Sequence, residues 1–197
     1  MCGKNEIEIN EIEKEVKERK ITQLVHFTKL SNLQSILQKG LIPRCELEKM
    51  KISFGYSDEH RYDGHKEAVS FSIEFPNFRM FYSKRQQNND VWVVLSVKPD
   101  LLWEKDCLFC SGNAAAREVQ CIEGLEGLKG MYDGERSSIN NEAYPTNEQA
   151  EVLVPGNVEV KYITYIYCKT EEKDRVLKEI SSPFVVCDDR MFFSRGC

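Results

Sequence analysis

No stretch of this sequence approaches the roughly 20 consecutive apolar residues that a membrane-spanning helix needs, so no helix of it is expected to cross a membrane. Met1 to Lys20 is rich in Glu and Lys and lacks an apolar h-region. It therefore does not read as a secretory signal, and the expected compartment is the cytoplasm. An internal repeat and a long Gly/Ser/Pro linker are also missing, which leaves a single domain as the simplest organisation for 197 residues. A surplus of positive charge is absent too. The net charge of −5 argues against broad, non-specific duplex binding, which draws its affinity from many phosphate contacts. A local basic groove for a single strand remains open, with Lys84, Arg85, Arg44, Arg61 and Arg79 as its material. Cysteine is plentiful, at eight, but Cys107-Leu-Phe-Cys110 has no second C-x-x-C pair. His60 and His65 lack matching spacing. A structural zinc site wants four ligands, so no metal is expected, and reduced thiols are the default without a signal peptide.

What is present reads as a folded α+β domain, 41% hydrophobic and 30% charged. Ile9, Ile12 and Val16 recur at helical spacing and predict an amphipathic first helix. Ile21 to Phe27 reads as a short buried strand. Ser31-Asn-Leu-Gln34 has capping-box spacing ahead of Leu33, Ile36 and Leu37 on one helix face, and Gly40 fits a C-terminal cap. Beyond Pro43 a polar, charged stretch runs to about Lys66. Strands are expected at Ala68 to Ile73, Val91 to Val97, Ala150 to Val154, Glu159 to Cys168 and Phe184 to Cys187. Residues 111–148 read as a helix or two with a long loop, and Glu171 to Ile180 as a short helix.

Two residues stand out chemically. In Gln149-Ala-Glu151-Val-Leu-Val154, alternation puts Ala150, Val152 and Val154 on one face and Glu151 with Leu153 on the other. A carboxylate inside an apolar strand is costly if it faces the core unpaired. Glu151 is thus either an exposed strand residue or a carboxylate held on a rigid element, where its surroundings tune it. The polar loop from Tyr132 to Glu148 leads into it, and long loops in compact domains are often binding loops. In Leu24-Val-His26-Phe-Thr28, the His ends an apolar strand before a helix, either as a ligand-holding residue or as a hydrogen-bonded structural one.

His26-Phe-Thr-Lys-Leu-Ser-Asn-Leu-Gln-Ser-Ile-Leu-Gln-Lys-Gly-Leu41 resembles the opening motif of the DarT family, and Pro145-Thr-Asn-Glu-Gln-Ala-Glu-Val-Leu-Val154 resembles its C-terminal motif. Ala68 to Tyr82 is similar to its second-strand region, and Asn113-Ala-Ala-Ala116 to another family segment, with amides facing an anion or simply capped by Asn113. The resemblance implies an ADP-ribosyltransferase fold, a split central β-sheet flanked by helices, in one domain. Residues 1–20 would be an N-terminal helix, 21–170 the core and 171–197 a C-terminal extension. It implies transfer of ADP-ribose from NAD, a substrate, to guanine or thymine in single-stranded DNA. It further implies a toxin opposed by a macrodomain DarG-like or NADAR-like hydrolase. Glu151 would be the catalytic carboxylate, stabilising positive charge that develops on the sugar. Arg79, set differently against Met80 than in the family, would be the catalytic Arg, with Arg61 or Arg85 as alternatives. His26, Phe27, Thr28, Asn32, Ser70, Ser72 and Tyr82 would hold NAD, and Phe81 or Tyr82 would stack on a ring unless both are core. Arg136, Asn140, Asn141 and Arg85 would meet DNA. An RNA or protein acceptor, or a binding module without catalysis, are the competing readings.

Overall fold

The computed structural model describes residues 5–50, 65–87, 89–180 and 184–195. In chain order the helices are α1 (Glu6–Glu18), α2 (Leu30–Lys39), α3 (Arg44–Lys49), α4 (Phe78–Arg85), α5 (Leu101–Glu104), α6 (Gly124–Gly130) and α7 (Lys173–Glu179). The strands are β1 (Leu24–Lys29), β2 (Ala68–Ile73), β3 (Trp92–Val97), β4 (Leu108–Cys110), β5 (Cys121–Glu123), β6 (Glu151–Pro155), β7 (Ile163–Cys168) and β8 (Val185–Cys187). Among the described residues they form one sheet in the order β5-β4-β6-β2-β1-β3-β7-β8. Every neighbouring pair is antiparallel except β7 with β8.

The sheet parts between β1 and β2. Those strands share only the pairs Leu24–Ile73 and Val25–Ser72, whereas β1 stays paired to β3 as far as Lys29–Trp92. β2 in turn stays paired to β6 through Ala68–Pro155. This is the split central sheet that the family resemblance implies.

β3 is buried along its whole length because both faces are covered. Val93, Leu95 and Val97 join the main core with Leu24, Leu33, Phe71, Val152 and Val154. α1 closes that side by inserting Ile12 and Val16, and it packs on α5 and α6. Trp92 and Val94 face the other side, where Val25, Phe81, Met191 and Phe192 form a second cluster. The segment expected as a C-terminal extension thus supplies an edge strand, β8, and the buried core residues Val176, Ile180, Met191 and Phe192.

Several elements depart from expectation. β1 starts at Leu24 rather than Ile21. The carboxylate of Glu74, a residue at φ +63°, takes the N–H groups of Thr22 and Gln23 before the strand begins. The capping box at Ser31 does not form. β1 runs directly into α2, with Lys29 as N-cap and no side-chain cap bond. The polar stretch beyond Pro43, for which the sequence pattern predicts no element, opens with α3, while most of it lies outside the described residues.

The thiol expectation also needs correction: Cys110 and Cys121 form a disulfide. They are direct partners in the β4–β5 register, which brings the two Cβ atoms together. Cys107, the other half of the C-x-x-C, keeps its thiol, which donates to Leu101 O. At the opposite end of the sheet, the Cys168 and Cys187 sulfurs lie 4.0 Å apart on β7 and β8. Burial, and then the adjoining Cys187, pushes the Cys168 thiol up to about 12. Thiolate is the reactive form, so alkylation of Cys168 at pH 8 is expected to run at least about tenfold slower than that of half-exposed Cys45. Equal labelling rates in a timed iodoacetamide digest would contradict this.

Candidate active site

Glu151 is the first residue of β6 and is buried, at 6% exposure. The exposed-strand alternative is therefore not what forms. Burying a carboxylate is tolerable only when hydrogen-bond donors replace water. Here the backbone N–H of Ala114 donates to Glu151 Oε2 at 3.0 Å. The alternation expected from the sequence holds, since Val152 and Val154 enter the main core while Leu153 faces Ala68 and Cys110. Cys110 is the register partner of Glu151 on β4. Asn113–Ala116 is not a helix start. Asn113 Oδ1 accepts from Ala115 N in a turn, and the anion that meets the amide of Ala114 is the chain's own Glu151.

On the other half of the sheet, His26 stands one residue past the last β1–β2 pair. Its Nδ1 contacts Ser70 O at 2.9 Å. A carbonyl only accepts, so Nδ1 carries the proton, and in the neutral ring Nε2 is the acceptor nitrogen. The imidazole thus bridges β1 to β2 where backbone pairing has stopped. Thr28, two residues on, is buried, and its Oγ1 accepts from Asn32 Nδ2 at 3.1 Å. β2 separates His26 from β6 in the sheet order. Ser72 follows Phe71, the partner of Val152, so along β2 it lies beside Glu151. Its hydroxyl accepts from Asn77 N at 3.1 Å. Ser70 is half-buried beside Leu153.

The two neighbouring aromatics divide. Phe81 is wholly buried, stacked on Phe27 with ring centres 4.6 Å apart and in contact with Trp92 and Phe192. Tyr82 is half exposed beside Phe78. Phe81 is core, and Tyr82 alone keeps a surface.

The basic residues divide as well. Arg79 is exposed on α4 and pairs with Glu148 at 2.7 Å, which ties α4 to the loop entering β6. Arg85 is used for packing. Its guanidinium covers Phe81 and donates to Phe192 O, and burial lowers its pKa. Arg136 is likewise committed, to Thr146 Oγ1 at 3.1 Å, to Asn141 O and Glu142 O, and to the Tyr132 ring. It shapes the loop before Glu151. Asn141 Oδ1 accepts from Ala143 N, while Asn140 lines an open pocket of about 460 Å³ with Lys20, Asn141, Glu142 and Tyr144, which Glu151 does not line. Arg61 and His60 lie outside the described residues.

Three groups carry no signal in the sequence or only a weak one. Arg195 reaches back to Pro145 O at 2.9 Å and to Thr146 O, over the Tyr144 ring. Asn77, 1% exposed, caps α4 by accepting from Met80 N, and its Nδ2 has no hydrogen-bond partner among the described residues. The third is the amide of Ala114. Asn77 ahead of Phe78 is legible as an N-cap; the other two depend on long-range folding. Among the described residues no three His, Cys, Asp or Glu side chains group to hold a metal, and no helix is long and apolar enough to cross a membrane.

A family model described as ssDNA thymidine ADP-ribosyltransferase, DarT, matches residues 25–186. A curated relative is the DNA ADP-ribosyl transferase-DNA ADP-ribosyl glycohydrolase fusion protein of Thermosipho africanus (strain H17ap60334). It is 28% identical over 184 residues, covering 80% of this chain and 45% of the relative, so this chain spans under half its length. Thermosipho africanus DarTG in complex with ADP-ribose superposes with a TM-score of 0.68 at 24% identity, over 87% of this chain and 51% of that one. Thermus sp. 2.9 DarT in complex with NAD+ gives 0.61 at 17% identity, over 88% and 98%. The same protein in complex with ADP-ribosylated ssDNA gives 0.63 at 17%, over 88% and 97%. At these identities the superpositions carry the fold.

Proposed function

The chain belongs to the DarT family, and from that premise we propose that it transfers ADP-ribose from NAD to a nucleobase of single-stranded DNA. One observation carries this reading: a buried, amide-bound Glu151 stands across β2 from the His26 bridge, where the sheet parts. The residues present suit a dinucleotide. His26, Thr28 and Asn32 cluster polar groups along β1 and the start of α2. Ser70, Ser72 and Glu151 line the facing half, and Tyr82 offers an exposed ring. Phe27 contributes its backbone at the strand end, since its ring is stacked on Phe81.

In the reaction the bond between ribose C1′ and nicotinamide nitrogen breaks with its electron pair going to nicotinamide. A base nitrogen then bonds to C1′ and loses its proton. Glu151 orients the ribose hydroxyls, stabilises the positive sugar and takes up that proton. His26 holds the adenosine-side ribose. Arg79, whose ion pair with Glu148 ties it to the loop entering β6, serves as the catalytic arginine. The matching family is described by its action on thymidine, which favours thymine over guanine as the acceptor. The fused glycohydrolase of the Thermosipho relative supports a DarG-like partner that removes the mark and a toxin role for this chain. NAD and DNA must share a compartment, so the cytoplasm is the proposed site of action, and residues 1–197 the proposed single domain.

The test incubates the protein with adenylate-labelled NAD and, separately, a mixed-sequence single strand, its duplex, the matching RNA and no nucleic acid. Label is expected on the single strand. The duplex should be labelled at least about tenfold more slowly, because unpairing a base costs a few kcal/mol. Equal labelling of duplex, or label on RNA or protein alone, would overturn the assignment. Mass spectrometry of the digested product identifies the base.

A further inference from the structure

Cys110 stands between two partners in the sheet. On one side it is in register with Glu151 of β6, on the other with Cys121 of β5, to which its sulfur is bonded. The residues between the two cysteines, 111–120, form neither strand nor helix. Asn113 organises the turn, its Oδ1 accepting from Ala115 N and its carbonyl from Ala116 N. Ala114 and Val119 are only partly buried against the small cluster of Ala68, Cys110 and Leu153. A loop with so few apolar anchors has low local stability unless a crosslink closes it. This loop supplies the N–H that meets Glu151 Oε2. It also passes the approach to β6 closely, since a Cβ on Gly112 would lie 3.1 Å from Asn147 Nδ2.

We propose that the loop 111–120, stapled by the Cys110–Cys121 disulfide, positions Glu151 for catalysis, with the amide of Ala114 as the positioning group. The proposal rests on the reading of Glu151 as the catalytic carboxylate. Geometry gives it force: a misplacement of about 1 Å at a reacting centre can cost about a hundredfold in rate. Opening the crosslink releases the loop at one stroke, so in a cytoplasm that keeps thiols reduced the staple makes transfer sensitive to the redox poise. A dithiol such as dithiothreitol attacks one sulfur as thiolate, passes through a mixed disulfide, and leaves two protein thiols and the cyclic oxidised dithiol.

The native chain, with and without dithiothreitol, is compared with Cys110→Ser/Cys121→Ser, Ala114→Pro, Ala114→Gly and Glu151→Gln in single-turnover transfer to a single-stranded oligonucleotide. Calorimetry follows NAD binding and thermal unfolding checks the fold. Ala114→Pro deletes the N–H. Expected is a loss of about ten- to a hundredfold in kcat for the reduced native chain, the double serine variant and Ala114→Pro, with NAD affinity changed by less than about threefold. Ala114→Gly keeps the N–H and most of the turnover, and dithiothreitol leaves the double serine variant unaffected. If Ala114→Pro does not fold, the reduced native chain and the serine variant decide. Native-like kcat in these, with Glu151→Gln inactive, overturns the staple while leaving Glu151 catalytic. Turnover by Glu151→Gln at the native rate overturns both. Peptide mapping that finds Cys110 and Cys121 alkylated in unreduced protein overturns the staple as well.

Discussion

Glu151→Gln is expected to lower kcat for ADP-ribose transfer by about 10²–10³-fold, the cost of deleting one preorganised charge stabiliser. The substitution is nearly isosteric, and its amide oxygen still accepts from Ala114 N, the hydrogen bond that Glu151 Oε2 accepts in this fold. What it removes is the negative charge facing a sugar that turns positive as nicotinamide departs. NAD contacts shared by ground and transition states survive, so NAD affinity should stay within about threefold of native. Stability should move in the opposite direction from activity. A charged carboxylate at 6% exposure is costly to bury, so the neutral amide is expected to leave the melting temperature unchanged or raise it. A variant that loses activity together with several degrees of melting temperature would point to a structural carboxylate and sink the catalytic assignment. Single-turnover kinetics and a thermal melt on the same preparation separate the two outcomes.

Much of this site is legible in the sequence because it lies on elements with strong periodicity. β6 announces itself by alternation, and that alternation alone turns Glu151 and Leu153 away from Val152 and Val154, as the clusters confirm. β2 falls at Ala68–Ile73, where small or polar residues alternate with Val69, Phe71 and Ile73, and β3 starts one residue after its expected start in a Val-rich run closed by Pro99. The spacing of Leu33, Ile36 and Leu37 reveals α2, although not its start. Asn32 bonds to Thr28 rather than serving a capping box at Ser31, because β1 feeds the helix without a turn.

The losses have physical causes. α4 has no helical expectation in the sequence, because its aromatics mask a weakly amphipathic pattern. β4 and β5 are three residues each, too short for any period to appear. Nothing in a spacing of 11 links Cys110 to Cys121; only their antiparallel register does. Charge alone marks basic residues as DNA contacts, yet Arg85 and Arg136 spend donors on main-chain carbonyls and a threonine hydroxyl. The bridge from His26 to Ser70 spans 44 positions and exists only because the sheet parts beyond Val25.

Gly40→Ala is expected to cost much stability for a single added carbon. Gly40 closes α2 by donating to Ile36 O at 2.8 Å, with φ at +83°. With ψ at −174° this is an extended positive-φ conformation that is essentially confined to glycine and costs an L-residue about 1–3 kcal/mol. Space is the larger obstacle: a Cβ there would lie 2.2 Å from Val158 O. The neighbour is backbone, and it is itself held by a two-bond bridge, Leu41 N to Val158 O and Val158 N to Leu41 O, each 2.8 Å. Relief of the clash must pull that bridge apart, and with it the tie between the end of the His26-bearing motif and the chain leaving β6. A loss of about 2–4 kcal/mol follows, which for a chain of this size is a fall of about 5–15 °C in melting temperature. Gly156→Ala supplies the comparison, because Gly156 also has positive φ, +75°, but a Cβ added there would meet nothing within 4 Å. It should show the conformational cost alone, about 1–2 kcal/mol. If the two variants melt together, the close approach at Val158 carries no energetic weight and the bridge is not what holds the two motifs in register.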